Sequence, residues 1–162
     1  YLALNIAHPW VPPKVMARHA WRFLMYQPLI AIAGVPVQRR TGFLDRLYRG
    51  ASEIDAQTAR VYTERFRDPV VARTARDTYR TFLLHEIPRM ARAGESRRST
   101  VPTRVLFGKN DAAIATELAA PETARADDYT LETVDSGHFI ADEHPELVRA
   151  KLIALAAEVP AR

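Results

Sequence analysis

The segment VDSGHFIADEHP, residues 134–145, sets a histidine, His138, directly after a glycine and just beyond a short strand-like run. Twenty-seven residues earlier, in GKNDAAI, an acid, Asp111, follows Gly108 by three positions, again just beyond an apolar run. An imidazole titrates near neutrality and can take a proton from water or a hydroxyl. An acid that accepts a hydrogen bond from one ring nitrogen fixes the tautomer and leaves the other nitrogen as a base. The pair suits general-base chemistry if the fold brings its members together. In the plain alternative, Asp111 caps a following helix and His138 is an ordinary loop residue. His144, six residues after His138, reads as a cap or surface residue at the start of a helix.

The elements around these residues alternate. VPTRVLFG (101–108) and YTLETV (129–134) read as strands, AIATELAA (113–120) as a helix, and HPELVRAKLIALAAEV (144–159) as a terminal helix with Leu147, Leu152, Leu155 and Val159 available to one face. Residues 1–7, YLALNIA, are nearly all apolar and suit a short strand buried on both faces of a parallel sheet. Strand, helix, strand, helix implies parallel strands joined by crossovers, and ligands of such sheets bind beyond the carboxyl ends of the strands. The positions of interest are therefore His8 to Trp10, Lys109 to Asp111 and Asp135 to His138, with Gly137 permitting a tight approach. Between Pro12 and Gly94 the pattern is helical, four or five helices punctuated by proline and glycine, and ESRRST (95–100) reads as a polar linker. The division is a core strand in 1–11, a helical lid in 12–100, and core strands and helices carrying the acid and histidine in 101–162.

Composition removes several classes of function. With 162 residues, 48% of them hydrophobic, the chain can bury one real core as a globular protein. It has no cysteine, which excludes disulfides, thiolate metal sites and a cysteine nucleophile. The longest apolar stretch, residues 28–37, is too short to span a bilayer, and the N-terminal residues lack the character of a signal peptide. A cytoplasmic location is the default expectation. Residues 1–100 hold 17 Lys and Arg against 8 Asp and Glu, whereas 101–162 hold 6 against 11. The basic part has no run of basic residues longer than two and no accompanying stacking motif, so it reads as a solvated helical surface and not as a nucleic-acid site. His8, His19 and His85 lack ligand spacing, and no glycine-rich phosphate loop occurs, so no metal or nucleotide cofactor is expected. His85 and Tyr62 read as packing residues.

VPTRVLFGKNDAAI followed by VDSGHFIADEHPELV resembles the C-terminal part of α/β-hydrolases, in which an acid after the seventh strand and a histidine after the eighth complete a catalytic triad. The helical stretch between LNIAHPW and VPTRVLF is similar to the cap domain inserted after the sixth strand in epoxide hydrolases and haloalkane dehalogenases. DTYRTF resembles the epoxide-hydrolase cap motif in which a tyrosine followed by arginine polarises the epoxide oxygen. The resemblance implies an α/β fold, the C-terminal portion of an α/β-hydrolase with a short parallel sheet of about three strands and an inserted helical cap. It implies Asp111 as orienting acid, His138 as base and Tyr79 as proton-donating phenol. The second cap phenol falls near WRFLMYQ, where Tyr26 is available and Phe23 competes for the aligned position.

The family's nucleophile sits on a glycine-flanked elbow after the fifth strand and is expected before residue 1. The six glycines, at 34, 42, 50, 94, 108 and 137, include no two that are four apart, as that elbow requires. The chain alone is therefore expected to turn over no epoxide, ester or haloalkane. The edge of the 1–7 strand is expected to be covered by a separate N-terminal half or by a second copy. A hydrophobic small-molecule substrate follows from apolar cap residues such as Phe23, Leu24, Leu29, Ile30 and Phe82. Related readings are a haloalkane or fluoroacetate dehalogenase, with Trp10 or Trp21 offered as halide donors although core packing is the plainer role of both, and a serine esterase or carbon–carbon bond hydrolase. From another class comes a non-catalytic interaction module on the same scaffold.

Overall fold

The structure, a computed structural model, describes residues 1–8, 10–51, 53–92, 98–119 and 125–158. Three strands, β1 (Leu2–Leu4), β2 (Thr103–Gly108) and β3 (Tyr129–Val134), form a parallel sheet in the order β1-β2-β3. Leu4 stands opposite Leu106, and Gly108 opposite Val134. The middle strand is buried on both faces through Val105, Leu106 and Phe107, which explains its continuous apolar run. Its core contains Ala3, Val105, Phe107 and Ala119, with Ile114, Tyr129 and Leu131 packed against them. Burial of a side chain the size of Phe107 contributes about 1.5–3 kcal/mol.

β1 is shorter than the expected seven residues, because Asn5 takes a left-handed backbone (φ 43°) and ends it. Only Ala3 in β1 is buried, so this strand is not covered on both faces. Between β1 and β2 lie α1 (Pro13–Leu24), α2 (Gln27–Arg40), α3 (Phe43–Ala51), α4 (Ala56–Arg65), α5 (Pro69–Thr81) and α6 (Ile87–Arg92). A π-helical turn, Phe82–Glu86, joins the last two into one rod. There Ile87 N donates to Phe82 O, five residues back, and the next residue, Pro88, has no N–H to continue the regular ladder. Asp55 and Asp68 cap α4 and α5 by accepting from Gln57 N and Thr58 N, and from Val70 N. Proline stands at the first turn of α1, α2 and α5, where a missing N–H costs nothing.

α2 and α5 form the main helix pair of this insertion. Gly34 makes their contact possible, since a Cβ there would lie 3.1 Å from Arg76 Cβ. Buried Gln38 then donates to Ala72 O at 3.2 Å. The helix expected over 113–120 is instead a single 3₁₀ turn, Thr116–Leu118, because the Asp111 carboxylate engages the preceding backbone in a turn of its own. α7 (Ile140–Glu143) and α8 (Pro145–Glu158) follow β3. Of the apolar face expected on α8, Leu155 is buried, Leu147 is half-buried and Leu152 is exposed. Val159, Gly94 and positions 95–97 of the expected linker lie outside the described residues. Arg104 in β2 binds Asp128 at 2.6 and 3.0 Å and Glu158 at 2.6 Å, fastening the end of α8 to the sheet.

Candidate active site

The turn after β2 holds the acid. Asp111 is buried, and its Oδ1 accepts from Ala113 N at 2.7 Å and Ile114 N at 2.8 Å. Its Oδ2 lies 2.8 Å from His138 Nδ1. The pairing is thus made through one oxygen, while the other binds a main-chain turn and caps no helix, the 3₁₀ turn beyond it starting at Ala115 without a side-chain cap. With one oxygen fixed by main-chain donors, the other is held in place for the imidazole, which stabilises the tautomer with the proton on Nδ1.

The loop bearing His138 is bonded on every side. Lys109 N donates to Val134 O and Asn110 N to Ser136 O, extending the β2–β3 pairing past the strand ends. Asn110 Nδ2 donates to Asp135 Oδ1 at 2.9 Å. Glu143 accepts from Ser136 Oγ at 2.8 Å and Gly137 N at 2.7 Å. His144 is exposed and donates from Nε2 to Asp135 O at 2.9 Å. His138 N donates to Ala51 O at 2.8 Å, which ties the histidine's own main chain to the end of α3. A close approach is required of Gly108: a Cβ there would meet the main chain of Ser136 and Gly137, with the Ser136 carbonyl carbon 2.9 Å away.

Asn5 is a participant that sequence reasoning missed. It is buried beneath the pair, its Nδ2 donating to Gly137 O at 2.6 Å and His138 O at 2.7 Å and its Oδ1 accepting from Gly108 N at 2.6 Å. The one sequence signal is a polar amide inside an otherwise apolar strand, a place where such a group needs partners.

The helical insertion contributes two phenols. Tyr26, at the start of α2, and Tyr79, on α5, meet edge to face with ring centroids 6.2 Å apart. Burial, and then the neighbouring Tyr26 and Tyr48, push the Tyr79 phenol up to about 12. Burial also raises Tyr26, with the Asp111 carboxylate adding to the effect and a weak bond from Gln27 Nε2 at 3.3 Å opposing it. Arg22 of α1 donates to Asp111 O at 2.9 Å and Ala112 O at 3.3 Å, so the insertion grips the acid turn as well as the histidine loop. Phe23 is half-buried beside it in α1.

Other expected residues lie elsewhere. Trp10 is half-buried and packs on His8, ring centroids 5.1 Å apart. Trp21, expected to pack in the core, is exposed because it stands on the outer face of α1. Leu24 and Phe82 are also exposed, Leu29 is at the margin and Ile30 is buried. His85, expected to be partly buried, is exposed in the π-helical turn. Tyr62, expected in the core, lies at the surface, donates to Asp142 Oδ1 at 2.6 Å and stacks on Tyr48, which in turn stacks on Phe139 at 4.8 Å. Among the described residues no group of three His, Asp or Glu side chains could hold a metal ion, and no helix is long and apolar enough to cross a membrane.

No family model matches the chain, and no curated protein sequence matches it. Solved structures do. A Salmonella enterica protein provisionally described as an acyltransferase is 20% identical with a TM-score of 0.68, over 98% of this chain and 56% of that one. A Nostoc sp. PCC 7120 protein provisionally described as an α/β hydrolase is 18% identical with a TM-score of 0.67, over 98% and 57%. The epoxide hydrolase of Bacillus megaterium is 12% identical with a TM-score of 0.67, over 96% and 60%. The chain thus spans a little over half the length of these neighbours. Identities this low establish architecture: the chain has the fold of the C-terminal portion of an α/β-hydrolase, a short parallel sheet with a helical cap inserted between its first two strands.

Proposed function

We propose that this chain is the cap and acid–histidine portion of an epoxide hydrolase-type enzyme acting on a hydrophobic epoxide, with residues 12–100 as the cap and 1–11 and 101–162 as core. The observation that carries the reading is the edge-to-face meeting of two half-buried phenols, Tyr26 and Tyr79, the first of which lies within electrostatic reach of the carboxylate that binds His138. A phenol titrating at about 12 stays protonated at every working pH, so Tyr79 remains a hydrogen-bond donor. In the proposed cycle a carboxylate on a separate segment opens the epoxide and forms an ester, while Tyr79 and Tyr26 donate to the developing alkoxide. His138, its Nδ1 proton held by Asp111, uses Nε2 to take a proton from water, which hydrolyses the ester. Phe23 would contribute to the apolar wall and Trp10 to the floor near the end of β1.

Without its nucleophile the chain is expected to be inactive. The β1 edge, which no strand among the described residues pairs and which exposed Tyr1 and Ile6 flank, is expected to be covered by a separate N-terminal half or by a second copy. The cytoplasm remains the expected compartment. A serine nucleophile would turn the same acid–histidine pair to ester hydrolysis or acyl transfer, and the Salmonella enterica neighbour described as an acyltransferase favours keeping this second reading. The phenols distinguish the two. A hydrophobic dialkylurea, which offers a carbonyl oxygen where an epoxide oxygen would sit, is expected to bind the chain and to lose about tenfold in affinity in Tyr79→Phe, the equivalent of one hydrogen bond. Equal affinity of parent and variant by calorimetry would refute the epoxide reading.

A further inference from the structure

We propose that Asn5 is the positioning residue of the acid–histidine pair, a role that rests on the reading of His138 as a base. The amide has two donor protons and a carbonyl acceptor, and all are engaged by main-chain atoms of the two loops that carry the pair. Gly108, whose N–H donates to Asn5 Oδ1 at 2.6 Å, heads the acid turn, since Asp111 N donates back to Gly108 O at 3.2 Å. The carbonyls of Gly137 and His138, 2.6 and 2.7 Å from Asn5 Nδ2, belong to the histidine loop. One short side chain therefore spans the acid turn and the histidine from below, and either loop can slide relative to the other only by breaking its bonds.

Three features make asparagine specific here. Its φ of 43° lies in the left-handed region, which asparagine enters far more readily than branched or bulky residues. Its N–H still pairs with Leu106 O at 3.0 Å, so the residue stays locked to β2 while its backbone turns the side chain under the site. An aspartate of the same shape would aim a carboxylate oxygen at two carbonyl oxygens, and a longer amide would overfill a site that is 4% exposed. The pin is also independent of Asp111 and His138 side chains, so its removal perturbs their relative placement without deleting either group.

Asn5→Gly keeps the left-handed backbone and removes the amide. In the full chain labelled with 15N at histidine, the His138 Nδ1 proton, assigned by its loss in His138→Ala, is expected to exchange with water about tenfold faster in Asn5→Gly, as when the equivalent of one of the three lost hydrogen bonds is felt at the imidazole. The ring nitrogen shifts are expected to move towards the Nε2–H tautomer, while the amide protection of Val105 to Phe107 in β2 stays within about twofold of the parent. Asn5→Asp is expected to do the same and serves if the glycine variant does not fold. An unchanged Nδ1 proton in a folded variant overturns the proposal. So does a loss of β2 protection in step with the imidazole signal, or the failure of both variants to fold, since either marks a purely structural role. The hydrolase reading fails separately: its failure is a urea affinity indifferent to Tyr79 in a protein whose imidazole still responds to Asn5.

Discussion

Replacing Asp111 by two different residues separates its two jobs. In Asp111→Ala both oxygens vanish, leaving Ala113 N and Ile114 N without their acceptor and the His138 ring without its partner. Each main-chain bond contributes about 1 kcal/mol and a bond to a charged group about 1.5–3 kcal/mol, so the loss should be about 4 kcal/mol. Asp111→Asn can keep both main-chain bonds through its amide oxygen and should lose only about 1–2 kcal/mol. Its amide N–H would then face His138 Nδ1, which must accept, so the ring proton moves to Nε2 and the base is lost. Denaturant unfolding of the full chain measures the first effect and imidazole 15N shifts the second. Equal destabilisation by the two variants would show that Oδ1 contributes nothing to the turn. An Nδ1 proton that persists in Asp111→Asn would refute the geometry on which the base assignment rests.

Three further outcomes follow from the same structure. Gly108→Ala drives a methyl group into the Ser136 and Gly137 main chain, which cannot swing aside, so a loss of at least about 2 kcal/mol is expected in the unfolding midpoint, with no comparable loss in Gly50→Ala, where nothing lies within contact. His8 is buried, its Nδ1 accepts from Trp10 N, and burial followed by the charge of Arg125 holds its pKa below the ordinary 6.5. The unfolded chain therefore takes up the proton first, and the stability contributed by neutral His8 is complete above pH 6.5 and declines as pH falls below it. The parent should lose more stability between about pH 7 and 5.5 than His8→Gln, and parallel profiles would contradict this. The bond from Arg104 holds the Asp128 carboxyl below 3.8, so its contribution is present above that pH and lost as pH falls through the lowered value. The difference between parent and Asp128→Asn should therefore shrink towards zero in acid, as read from unfolding midpoints on descending pH.

What the sequence made legible was whatever depends on local pattern. YTLETV is a strand over the same six residues in the structure, and VPTRVLFG shortens only to Thr103–Gly108, because apolar runs bounded by polar turns carry their own signal. The acid–histidine contact could be inferred from parallel strand ends, but its double use of the carboxylate could not, since the capping of Ala113 and Ile114 also removed the expected helix. Asn5 was hidden for a related reason: its partners lie more than 100 residues away in sequence, so no periodicity marks it. Tyr62, Trp21 and His85 read as packing residues on apolar or amphipathic character alone, and all three are exposed. Which side of a cap helix meets another element is set by tertiary contacts that a single helix does not encode. Tyr26 shows the converse, since the resemblance offers it as a cap phenol, while its place at the start of α2 and its meeting with Tyr79 depend on how α2 packs on α5.

The grip of the helical insertion on the site has a consequence for traffic. Ala51 receives the His138 N–H, and Arg22 binds the carbonyl of Asp111, so the roof is fastened to the main chain of the very residues it shelters. Such a roof cannot swing wide on a hinge without unseating the machinery below it. In the proposed enzyme, admission would then depend on the static shape of the roof and not on the timing of a gate.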